Sequence, residues 1–169
     1  RVSSIKIADR SGGILCSHRA MMAMPKERAM KILVAVDGSS YTKRMLAYLA
    51  AHDEWLGAQH SYTVLTAVPA VPPRAARVLD RKILQGHYDE EAEKVLSPIR
   101  KFFAKQGLQA ECMHKVGPAA DVVASAATAG KYDLLIMGSH GHGAMAGLVL
   151  GSVTTRVLAA TEMPLLIVR

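Results

Sequence analysis

The sequence predicts an α/β domain, an open parallel sheet with helices packed on both of its faces. Two observations carry this. Short apolar runs recur along the chain, "ILVAV" at 32–36 and "LLIM" at 134–137 the clearest, and an unbroken apolar run bounded by turn residues reads as a strand covered on both sides. Between these runs lie segments whose apolar residues recur every three or four positions, so strand and helix alternate up to a fifth strand at the C-terminus. Parallel strands joined by right-handed crossovers place such helices on both faces.

The first 29 residues mix charges, glycines and methionines without either period. They read as a disordered N-terminal extension of native or vector origin, with the native start at one of the methionines from Met21 to Met30, and residues 30–169 as one domain. The first strand lies in "MKILVAVDGSS" and stops at Asp37-Gly38. Ser39 or Ser40 caps a helix expected to reach about Leu56, with Met45, Leu46, Leu49 and Ala50 inward and Gly57 as its stop. "SYTVLTAV" is the second strand. Pro69, Pro72 and Pro73 open a loop, after which Leu84, Tyr88, Ala92, Val95 and Ile99 mark a second helix that Pro98 is expected to kink or bound. Glu90 stands four residues before Lys94, so "DEEAEK" reads as a solvated helix face. "LQAECMHKV" is the third strand, Gly117-Pro118 precedes an alanine-rich helix, and "YDLLIM" is the fourth strand. A last helix from residue 152 to about 161 leads to the fifth strand, "PLLIVR".

The net charge of +7 raises nucleic acid as a partner, but its distribution argues against it. Residues 1–30 hold six Lys/Arg against two Asp/Glu, while the rest of the chain is nearly balanced at 15 against 12. Nucleic acid and membrane are not expected partners. Gly143, Gly147 and Gly151 imitate a membrane packing stripe, but Arg156 and the interspersed histidine, serine and threonine deny it a bilayer span. Cys16 and Cys112 form no disulfide framework and no secretory signal is visible, which predicts a cytoplasmic protein in a reducing compartment.

The densest chemistry lies in "MGSHGHGAMAGLVLGSVTTRVL", with five glycines between Met137 and Gly151. An open α/β sheet binds ligands beyond the carboxyl ends of its strands, where the strand order reverses. Asp37 follows the first strand and the glycine run follows the fourth, so neighbouring positions for those strands would put both at one crevice. Bare backbone and the N–H groups of a helix opening at Ser152 suit phosphate. A Walker loop fails, because no lysine precedes Ser152. Gly141-x-Gly143-x-x-Ala146, with Glu162 beyond it, matches a dinucleotide pattern, but that pattern belongs after the first strand. Asp37 and Ser152 each have a simpler reading as helix caps. His140 and His142 share no metal-binding spacing with a third ligand, and no residue stands out as a base that would activate water.

The remaining pattern is Gly138-x2-Gly141-x9-Gly151-Ser152. With "KILVAVDGS", "YDLLIMGSHGHG" and "GSVTTRVLAATEMPLLIVR", it makes the chain from Met30 to Arg169 resemble the universal stress protein family. The resemblance implies a Rossmann-like, three-layer sheet of five parallel strands in the order 3-2-1-4-5, of the adenine nucleotide alpha hydrolase-like type, in the branch that binds ATP. It implies a nucleotide site at Ala35, Val36 and Asp37, with Asp37 by the ribose or base and Ala67 and Val68 against adenine. Met137, Gly138, His140, Gly141 and His142 would form the turn under the nucleotide, and Gly151, Ser152, Val153 and Thr154 the helix start that holds the outer phosphates. The ligand would be ATP, or AMP or ADP, with any Mg²⁺ held by phosphate oxygens, water and Asp37. His142 stands where a common form of the motif has arginine or lysine, which weakens phosphate attraction and makes it pH-dependent. A homodimer through Pro164 to Val168 and a regulatory protein partner are also implied, with ATP hydrolysis slow or absent. An ATP hydrolase or nucleotide-transfer enzyme, and a nucleotide-free interaction module, are the alternatives.

Overall fold

A computed structural model describes residues 29–52, 56–143 and 150–169. The expected disordered extension therefore falls almost wholly outside the described residues, as does Ala146 of the dinucleotide pattern. Five parallel strands form one sheet: β1 (Lys31–Val36), β2 (Ser61–Val68), β3 (Ala110–Val116), β4 (Leu134–Gly138) and β5 (Leu165–Val168), in the order β3-β2-β1-β4-β5. The helices are α1 (Ser40–Ala50), α2 (Pro73–Ala76), α3 (Arg81–Lys105), α4 (Ala119–Gly130) and α5 (Ser152–Ala160). None of them is long and apolar enough to cross a membrane.

β1 lies at the centre because both of its faces are apolar. Side chains alternate across a strand, so Ile32, Val34 and Val36 enter one core with Met45, Leu49, Leu96 and Phe103 of α1 and α3. Leu33 and Ala35 enter the other, against Val123, Ala127 and Val157 of α4 and α5. The chain winds outward through β2 and β3 on one side of β1, then returns across α4 to β4 on its other side. This reversal leaves the carboxyl ends of β1 and β4 adjacent with their following loops diverging, the geometry of a ligand crevice.

Several local expectations differ from the structure, among them Ala50, expected inward but exposed at the end of α1, where the buried face stops at Leu49. α1 ends at Ala50, short of Leu56, and the segment 53–55 lies outside the described residues. The proline-rich stretch read as loop includes the short α2, with Pro73 in its first turn, where a missing N–H is harmless. α3 passes through Pro98 as one 25-residue helix. An interior proline costs about 3 kcal/mol, but Ile99 and Phe103 beyond it are buried in the first core and outweigh that loss.

Candidate functional site

Asp37 leaves β1 at its carboxyl end and Gly38 follows with φ of +77°, a left-handed turn that favours glycine. The turn brings the chain back so that Asp37 Oδ1 accepts from Ser39 N–H at 2.9 Å and from the Thr42 hydroxyl at 2.8 Å. The same Thr42 oxygen accepts from Asp37 N–H at 3.2 Å. Ser39, not Asp37, caps α1 by accepting from Thr42 N–H. Asp37 is thus positioned through one carboxylate oxygen only. Its other oxygen, Oδ2, lies 3.5 Å from His142 Nδ1.

The turn after β4 is built by close approach. A β-carbon on Gly138 would stand 3.0 Å from Tyr41 Cβ, so this glycine lets β4 run against the first turn of α1. One on Gly151 would stand 3.1 Å from His140 Cα and 3.2 Å from Ser139 O. Gly151 N–H donates to Ser139 O at 2.8 Å, and the Thr154 hydroxyl lies within hydrogen-bond distance of Gly138 O and Ser139 O, at 3.1 and 3.2 Å. These bonds pin the start of α5 to the end of β4. Gly151 is the N-cap and makes no side-chain cap bond, so Ser152 is the first helical residue and the cap expected of it is absent. The opening N–H groups of α5, which lack helical partners, and the positive end of its dipole meet the crevice.

A cleft of about 310 Å³ joins these parts. It is lined by every expected site residue but one: Ala35, Val36 and Asp37 from β1; Ala67 from β2; Met137, Gly138, His140, Gly141 and His142 around the β4 turn; Gly151, Ser152, Val153 and Thr154 at α5. The exception is Val68. Its side chain belongs to the core under α1 and α3, because successive residues of β2 point to opposite faces and Ala67 takes the cleft side.

Four lining residues escaped sequence reasoning: Thr42, Ala119, Val123 and Gly143. Thr42 had a signal in the spacing Asp37-Gly38-Ser39-x-x-Thr42, a short hydroxyl one helical turn past a strand-end carboxylate. Ala119 and Val123 had only the Gly117-Pro118 break before α4, which marks another carboxyl-end loop without saying where it leads.

The two histidines differ in setting. His142 is largely exposed beside Asp37. His140 is buried against the Tyr41 ring, centroids 5.1 Å apart, with Nδ1 at 3.1 Å from Ser139 Oγ and Nε2 without a hydrogen-bond partner. It packs the turn. Among the described residues no three His, Cys, Asp or Glu side chains are grouped to hold a metal ion, so any divalent cation here would need ligand oxygens.

Residues 29–169 match the model of the universal stress protein family. A universal stress protein from Thermus aquaticus, encoded in a QAH/OAS sulfhydrylase 3' region, is 34% identical over 139 residues, covering 82% of this chain and 97% of that protein. The fold is similar to that of a universal stress protein family member from Arabidopsis thaliana solved with AMP bound, with TM-score 0.60, 16% identity, and coverage of 82% of this chain and 90% of that one. It is also similar to a universal stress protein from Archaeoglobus fulgidus in complex with dAMP, with TM-score 0.58, 22% identity, and coverage of 83% and 98%. With its family model matched from residue 29 to 169 and a relative 34% identical over nearly its whole length, the chain belongs to the universal stress protein family.

Proposed function

We propose that this protein is a nucleotide-binding regulator of the family's ATP-binding branch, working as a homodimer with slow or no hydrolysis. The observation that carries the reading is the juxtaposition, in one cleft, of a carboxylate whose second oxygen faces only His142 among the described residues, at 3.5 Å, and a helix start without a side-chain cap. The two poles match a nucleoside phosphate. A ribose hydroxyl donates to Asp37 Oδ2, while phosphate accepts from the N–H groups of Ser152 and Val153 and the Ser152 hydroxyl. Ala35, Ala67, Val123 and Met137 supply apolar surface for a base. The cleft is at the small end of ligand sites, which fits the nucleoside and leaves outer phosphates and any Mg²⁺ at the mouth. AMP and dAMP in the two similar structures support an adenine ligand.

The dimer reading rests on the sheet edges. β5 is an outer strand on which Leu165, Leu166 and Ile167 are each partly exposed, whereas the opposite edge, β3, shows Glu111 and Lys115, charges that discourage pairing. Pairing of Pro164 to Val168 with a second copy covers the apolar edge.

Native mass spectrometry for retained nucleotide, followed by calorimetry with ATP, ADP and AMP with and without Mg²⁺, tests the reading. Retained or added nucleotide binding at one site per chain supports it. An empty protein that takes up none of the three leaves the nucleotide-free interaction module. Steady ATP turnover that disappears in Asp37→Ala makes the protein an enzyme instead.

A further inference from the structure

The stretch from Arg74 to Ile83, away from the nucleotide cleft, combines charge and apolar surface in a way the site does not use. From Lys31 onward the chain carries 15 Lys/Arg against 12 Asp/Glu, and residues 74–83 hold four of the former and one of the latter. The domain's whole excess of positive charge is thus matched by ten residues. Arg74, Arg77, Arg81 and Lys82 are all exposed, and none makes an ion pair within the described residues. The lone acid, Asp80, is occupied as the cap of α3, accepting from Lys82 N–H at 2.7 Å. Among these cations project the two most exposed aliphatic side chains described, Val78 at 84% and Ile83 at 62%, with Leu79 at 40% between them. The stretch is held in place, since Val71 N–H donates to Tyr88 Oη at 3.1 Å just before it and α3 begins within it.

We infer that this segment is a docking surface for an anionic lipid bilayer. Cations and projecting aliphatics side by side fit a surface that offers headgroup phosphates above acyl chains. Nucleic acid would engage the cations and leave the aliphatics in water. A protein hot spot seats aromatic or arginine anchors in pockets; this stretch offers three arginines but no aromatic residue, and its aliphatics project outward with no pocket beside them in the cleft. A fluid interface moulds around protruding side chains and needs neither. The sequence argued against a membrane partner because no span is present, but a surface contact requires none.

The test is cosedimentation of the full chain with vesicles of equal parts phosphatidylcholine and phosphatidylglycerol, beside vesicles of phosphatidylcholine alone. Binding to the anionic vesicles only, weakened by salt, is expected. The variant R74Q/R77Q/R81Q/K82Q retains the basic N-terminal residues and should lose at least about tenfold in partitioning. V78S/I83S keeps every charge and should lose about fivefold or more. Circular dichroism melts that match the parent show that both variants are folded. Three outcomes overturn the proposal: no sedimentation of the parent at low salt, equal binding by the quadruple variant, or full binding by V78S/I83S. Tighter binding of the parent to polyglutamate or duplex DNA than to anionic vesicles also overturns it, in favour of an acidic protein or nucleic acid. None of these readouts depends on nucleotide.

Discussion

A β-carbon added to Gly141 would stand 2.5 Å from Asp37 Oδ2. The carboxylate cannot swing aside freely, because its other oxygen is held by Ser39 N–H and the Thr42 hydroxyl. The glycine after β4 and the aspartate after β1 therefore approach so closely that any side chain at 141 would meet the carboxylate.

Gly141→Val should displace the Asp37 carboxylate and crowd the cleft that both residues line. Crowding of this kind costs about 1–3 kcal/mol, expected here as a fall of roughly five- to hundredfold in nucleotide affinity. Gly141 lies in a partly exposed turn, so the melting temperature should change little. Calorimetry with ATP is the check, and unchanged affinity would remove Gly141 from the site.

Thr154→Val keeps the shape of a side chain that is 2% exposed but removes the hydroxyl serving Gly138 O and Ser139 O. Ser139 O keeps the Gly151 N–H as a donor, so the loss is that of the hydroxyl's own hydrogen bonding, about 0.5–1.5 kcal/mol, which lowers the melting temperature by about 2–4 °C per kcal/mol in a chain of this size. Nucleotide affinity should fall as well, because the same bond aims the start of α5. Calorimetry alongside thermal melts separates the two effects, and an unshifted melt contradicts the bridging role.

His142 stands largely exposed beside Asp37 at the cleft mouth. His142→Arg puts a permanent charge there and should raise nucleotide affinity about two- to fivefold, the scale of an exposed ion pair. Calorimetry with ATP is the check, and unchanged affinity in the variant rejects a role for charge at this position.

Burial pushes the Tyr62 phenol up to about 12 from 10.0, and its hydroxyl donates to Gly57 O at 2.8 Å. A raised folded-state value means that the protonated form stabilises the fold. Stability is whole below pH 10 and is lost as pH rises towards about 12. The loss amounts to roughly 2–3 kcal/mol at most. Tyr62→Phe should be less stable at neutral pH through the lost hydrogen bond, yet show a shallower alkaline decline. Urea melts at several alkaline values measure both, and parallel declines would remove Tyr62 as the cause.

The elements were legible because their signals are local. The run from Ile32 to Val36 names a strand covered on both faces, and the spacing of Leu84, Tyr88, Ala92 and Ile99 names a helix, whatever surrounds them. The glycine spacing and Asp37 marked most of the cleft for the same reason, since turns and helix starts depend on a few adjacent residues. Where packing competes with a local rule, the sequence misled. Pro98 was expected to kink or bound the helix, and of the two the boundary fails, because the burial of Ile99 and Phe103 carries α3 through it.

Pairing across the sheet decided the rest. Ala67 and Val68 are adjacent in the chain and both apolar, and only the register of β2 against β1, with Ala35 opposite Leu65, sends the first to the cleft and the second to the opposite core. Thr42, Ala119 and Val123 come from elements far apart in sequence and meet because β1 and β4 are neighbours with helices on opposite faces. The sequence by itself determined which segments are strands, helices and turns, because those preferences reside in short stretches of chain. The tertiary structure alone decided which side of each strand the cleft occupies and which distant side chains share it, because strand parity and layer assignment are properties of the assembled sheet.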